Sequence, residues 1–121
     1  MTERDSLTEW FHELAEHPHE ELLELASPDN IEQLQKHVAR STPEHLLPDQ
    51  INASEFASAV VEFRRNESAW NRATMTALIK ADDLFKAGHK AQAAESLKEF
   101  AASCPWTLFQ EVVLNQATHY R

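Results

Sequence analysis

The sequence predicts an all-α protein: five to seven helices in a compact bundle, with a C-terminal antiparallel helical hairpin and a final helix. Three observations carry that prediction. Apolar residues recur every three or four positions through most of the chain, which is the period of a helix face and not of a strand. Ser27-Pro28 and Thr42-Pro43 pair a capping residue with a proline. That pairing opens helices, because proline at the first helical position gives up an N–H that has no intrahelical partner. A single glycine among 121 residues leaves none to spare for tight β-hairpin turns. A chain of this length makes one domain, 1–121, whose core needs no staple.

The elements follow in order. Ser6-Leu-Thr-Glu9 reads as a capping box with Ser6 at the N-cap, and Leu7, Trp10, Phe11 and Leu14 share a face of the helix after it. Pro18 removes a backbone donor, so the helix breaks near His17 and a second begins at Pro18, carrying Leu22, Leu23, Leu25 and Ala26. Ser27-Pro28 starts a third helix, which runs to about Arg40 with Ile31, Leu34 and Val38 inward. Thr42-Pro43 introduces a short turn holding Leu46 and Leu47, and Pro48 ends it. Asn52-Ala-Ser-Glu55 is a further capping pattern.

After Asn52, Phe56, Val60, Phe63, Trp70, Ala77, Ala81 and Leu84 fall on a near-heptad seam, completed by Glu67 and Thr74. Read as one helix, residues 53–87 would span roughly 50 Å at 1.5 Å per residue. A compact domain of this size has a radius of gyration of about 14 Å. The expectation is therefore a break near Asn66-Glu67-Ser68, where Asn and Ser suit helix ends and Glu67 interrupts the seam. A single helix that pairs with another chain along 53–87 stays open. Gly88 then stops the helix at its C′ position, with Lys86 near the negative end of the dipole. The next helix carries Ala93, Ala94, Leu97, Phe100 and Ala101. The last begins at Pro105 or Trp106, with Leu108, Phe109, Val112 and Val113 as its apolar face.

Ala81, Leu84, Gly88, Ala93, Leu97 and Pro105 occupy the small, large, turn, small, large and closing positions of a helix–turn–helix unit. In this spacing residues 77–105 resemble a single tetratricopeptide repeat. Ala77 and Lys80 depart from its opening Trp and Leu. Thirty-four residues back, Ala59 and Phe63 keep the period, but Asn71 stands where Pro105 would require a proline. The resemblance implies a protein-binding helical hairpin without a tandem array, and it implies no catalytic residue.

Composition removes several classes of function. One glycine cannot build a phosphate-cradling loop, and one cysteine supplies neither a disulfide framework nor a multi-cysteine zinc site. No apolar run is long enough to span a membrane, and no charged-then-apolar leader is present, so a cytoplasmic protein without a membrane role is expected. The formal charge of −9 is unevenly spread: residues 1–50 hold twelve acidic and three basic residues, and residues 51–121 hold eight of each. An acidic N-terminal helical subregion thus precedes charge-neutral helices.

Five constellations are candidates for function. Glu9, Glu13, Glu16, Glu20 and Glu24 would track one face if Pro18 only kinks the helix. No Lys or Arg lies between Arg4 and Lys36 to neutralise them. Such a stripe attracts a basic protein surface, and it disfavours nucleic acid, whose phosphates require Lys and Arg. The alternative is a solubilising face. His12, Glu16 and His19 are candidate metal ligands through Glu-x-x-His spacing, but no matching pair stands on another helix, so no metal and no cofactor is expected. Arg64, Arg65 and Arg72 surround Trp70, a base-stacking pattern that a salt-bridged helix face also explains. Cys104 would sit at a helix N-cap, where the dipole favours thiolate. Trp106 either closes the core or, if exposed, marks a contact surface.

The function these features suggest is a small acidic protein-binding module, an adaptor or an immunity- or antitoxin-like inhibitor that engages a basic protein. The partner residues would be Glu9, Glu13, Glu16, Glu20, Glu24 and Trp106. A non-enzyme is expected. Two alternatives remain: a helical metal-binding protein or enzyme using the N-terminal His/Glu cluster, and a homo-oligomer, such as a homodimer, built on the 53–87 seam.

Overall fold

The structure is a computed structural model that describes residues 3–120, with side chains from Ser6 onward. It is all-α. Among the described residues six helices follow one another as α1 (Glu3–Ala15), α2 (His19–Glu24), α3 (Pro28–Ser41), α4 (Ala53–Lys86), α5 (Lys90–Ser103) and α6 (Thr107–Thr118). No strand occurs among the described residues, and none of their helices is long and apolar enough to cross a membrane.

The helix ends show how local sequence sets the boundaries. Pro18 separates α1 from α2 and serves as the N-cap of α2. At α3 the Ser27 hydroxyl accepts from the Asn30 amide at 3.1 Å, and Pro28 occupies the first turn. At α4 the capping box is complete: the Asn52 amide donates to Glu55 Oε1 at 3.0 Å and the Glu55 amide to Asn52 Oδ1 at 2.8 Å. Gly88 ends α4 at φ +89°. The His89 amide reaches the Leu84 carbonyl at 2.8 Å and the Gly88 amide the Phe85 carbonyl at 3.0 Å. Those are the two bonds of a Schellman motif.

Thr42-Pro43 opens no helix: Thr42 is the C-cap of α3, its amide on the Val38 carbonyl at 2.8 Å, and a turn follows. Two further boundaries are corrected. Ser6 is not an N-cap, because α1 begins one turn earlier at Glu3; neither proline nor glycine stands at 3–5 to stop the helix. The chain also does not break at Asn66-Glu67-Ser68. α4 is one helix of 34 residues. Asn and Ser cost only about 0.5 kcal/mol each in a helix interior, and the span contains no proline or glycine. A single compact core would have required the break. Instead the chain divides into two compact units, residues 1–66 and 67–121, each drawing on its own part of α4.

The core of the first unit joins four helices: Phe11 and Leu14 of α1, Leu22 of α2, Leu34 and Val38 of α3, and Phe56, Ala57 and Val60 of α4. Phe11 is fully buried. It stacks on His37 at 4.8 Å between ring centres and meets the edge of Phe63 at 5.5 Å.

The core of the second unit is rich in alanine. Ala81 of α4, Ala93, Ala94, Leu97 and Ala101 of α5, and Val113 and Ala117 of α6 pack together with Tyr120. Small residues let helix backbones approach closely. α4 and α5 form an antiparallel hairpin, closed by Gly88 at one end and by an edge-on contact of Trp70 with Phe100, 5.9 Å between ring centres, at the other. In α6 the buried face is Phe109, Val113 and Ala117, one residue from each helical turn. Leu108 and Val112, expected to face inward, are exposed. The i, i+4, i+8 row of Phe109, Val113 and Ala117 leaves them on its flank.

Candidate functional site

The acidic surface is built by the outer faces of α1 and α2. In α1, Leu7, Phe11 and Leu14 are buried, and at 100° per residue Glu9 and Glu13 lie on the opposite side. In α2, Leu22 is buried, and Glu20 and Glu24, two residues to either side of it, project away from the core. Glu16 lies in the turn between the helices. All five glutamates are exposed. They do not form the single helical stripe expected of a kinked helix, because α1 ends at Ala15. Two helices and a turn present them instead.

The division into units sharpens the charge asymmetry. Residues 1–66 contain fourteen acidic and five basic residues, and residues 67–121 contain six of each. The first unit therefore holds the whole formal charge of −9. Its ion pairs include exposed ones. His17 Nδ1 meets Glu21 Oε2 at 2.7 Å, and Lys36 Nζ lies 3.8 Å from Glu32 Oε1. Exposed pairs of this kind contribute at most about 1 kcal/mol each.

The other candidates fare differently. His19 is exposed and follows the break, and His12 lies partly buried against Phe11 on α1. Among the described residues no group of three or more His, Cys, Asp or Glu converges to hold a metal ion. Trp106 is 4% exposed and packs on Phe109 at 5.8 Å, so it closes the interior and offers no contact surface. The Trp70 ring is likewise engaged, by Phe100. Cys104 is the C-cap of α5, and Trp106, not Cys104, caps α6. The thiol is buried and points at the Trp106 carbonyl, 3.8 Å away. Burial pushes its pKa up, the reverse of the helix-dipole effect expected from sequence. The seam residues Phe56, Val60 and Phe63 pack into the first core, and Ala77, Ala81 and Leu84 into the second. This chain's own helices thus cover them.

One polar residue of the core escaped the sequence reading. His37 is 3% exposed and sandwiched by Phe11 and Phe63. It stands three residues after Leu34 and one before Val38, so the apolar row of α3 already marked that position as inward.

Comparison with known proteins gives no significant match to any protein-family model, curated protein or solved structure.

Proposed function

We propose that this protein is a small acidic protein-binding module, an adaptor or an immunity- or antitoxin-like inhibitor, that engages a basic protein through its first unit. One observation carries the reading: five exposed glutamates stand outside a well-formed core, on a unit that holds all of the net charge. Unneutralised like charges repel, so beyond Glu20, which complements the dipole in the first turn of α2, the cluster does not serve the stability of its own helices. Such a field steers an oppositely charged surface into contact and raises its association rate. The α4–α5 hairpin, with its resemblance to a tetratricopeptide unit, adds support for a role in protein binding. A reducing cytoplasm suits the single buried thiol.

The test is affinity purification from the native cell with the wild-type chain and with Glu13→Lys/Glu16→Lys/Glu20→Lys. The wild type should retain a basic protein that elutes as salt is raised, and the triple variant should lose it. Partners retained equally by both chains would overturn the proposal.

A further inference from the structure

In the second unit α4 has an inner and an outer side. Thr74, Ala77, Ala81 and Leu84 face the core, whereas Met75 and Ile79 are 55% and 59% exposed. At 3.6 residues per turn, positions 72, 75, 79, 82 and 86 lie within about 80° of one another. Arg72, Met75, Ile79, Asp82 and Lys86 therefore form one narrow stripe, turned away from the core. Its spacing alternates three and four, as does the seam of a two-helix coiled coil.

The stripe is complementary to itself. In an antiparallel helix pair, facing residues have numbers that add to a constant. Setting Met75 of one copy against Ile79 of another sets Arg72 against Asp82, and two-fold symmetry repeats that ion pair at the other end. A parallel pair would oppose Arg72 to Arg72 and Asp82 to Asp82. Charge thus selects both the occupant and its direction. A hollow lined by Thr76, Ile79, Asp83 and Leu84 flanks the apolar centre and gives a flexible methionine room to settle. Lys86 Nζ holds one Asp82 oxygen at 2.9 Å, and a carboxylate has further lone pairs for an arginine.

We propose that two copies of this chain associate through this face of α4 as an antiparallel two-fold pair, Met75 on Ile79 and Arg72 on Asp82. The pairing is independent of the acidic surface of the first unit. Two apolar residues per copy fall well short of the ~800 Å² per partner of a stable interface, so the dimer is weak and concentration-dependent.

Sedimentation equilibrium of the full chain, from micromolar to millimolar, tests this. The mass should rise from 13.8 kDa toward twice that value. Arg72→Asp alone and Asp82→Arg alone each oppose like charges and should raise the dissociation constant at least tenfold. The double variant R72D/D82R should restore association. An equimolar mixture of the two single variants should form a mixed dimer, because each supplies the charge the other's stripe lacks. Ile79→Glu should abolish association with the helical circular dichroism unchanged. A constant mass of 13.8 kDa over the whole range would overturn the proposal. So would a dimer indifferent to R72D and I79E, or single variants that do not associate on mixing.

Discussion

Replacing Phe11 by Ala should come close to unfolding the first unit while sparing the second. Phe11 is fully buried at the meeting of α1, α3 and α4, with His37 stacked on one side and the edge of Phe63 on another. Truncating a buried Phe to Ala costs about 3–5 kcal/mol, through lost transfer energy and the cavity left behind. The two ring contacts, each worth about 0.5–1.5 kcal/mol beyond area, keep this site away from the lower end of that range. At ~0.05–0.15 kcal/mol per residue, a unit of 66 residues is stabilised by roughly 3–10 kcal/mol, so a loss of ~4 kcal/mol removes a large share of it. Amide hydrogen exchange read by peptide fragments separates the units without further substitutions. At about 1.4 kcal/mol per decade, protection across α2 and α3 should fall by about a thousandfold. Protection across α5 and α6 should change by less than tenfold. Phe11→Leu, which keeps most of the volume, should cost under about 1.5 kcal/mol. A fall of less than tenfold in α2 and α3 for Phe11→Ala would refute the assignment of Phe11 to the centre of that core.

Two further outcomes follow from local geometry. Gly88→Ala should destabilise the second unit by about 1–2 kcal/mol, read from the urea midpoint of α5–α6 exchange. Nothing lies within 4 Å of the added Cβ, so the cost comes from φ +89° alone, and Gly88→Asn should cost less. Cys104 supplies a pH dependence. Its thiol pKa is raised in the folded chain by burial, so above about pH 8.5 the unfolded state sheds a proton that the folded state keeps. Stability is then complete below that pH and declines as pH rises toward the folded value. A Cys104→Ala variant should show a flatter alkaline limb in thermal melts, and the wild-type thiol should react with iodoacetamide at pH 8 only slowly until denaturant is added.

Much of the fold was legible because capping chemistry is local. Ser27-Pro28, Asn52 with Glu55, and Gly88 each stop or start a helix through bonds spanning three to five residues, and a sequence window contains all of their partners. The all-α class followed from the same signals. The continuity of α4 was not legible, because it depends on where the cores lie. Asn66 and Ser68 are tolerated once packing on either side of them supports the helix, and local propensity is too weak to decide. The fate of Trp106 also needed the third dimension: its place at the head of α6 was clear, but whether the indole faced water depended on Phe109 and the helix packing around it. For the acidic surface, the sequence supplied the glutamates and the outward phase on each helix. The division by Pro18 into two helices and a turn decided how they are presented.

The eleven residues between α3 and α4 look at first like a flexible tether. They are pinned at three points. The His45 amide closes a turn onto the Thr42 carbonyl at 2.9 Å. The Gln35 side-chain amide donates to the carbonyls of both Pro48 and Asp49, each at 2.9 Å. The capping box then fixes Asn52. Pro43 and Pro48 restrict φ in the unfolded chain as well, so less conformational entropy is lost when the segment orders. In entropic terms the connection is a strut: it delivers Asn52 to the start of α4 in one direction, and the first core can recruit that helix without an additional search.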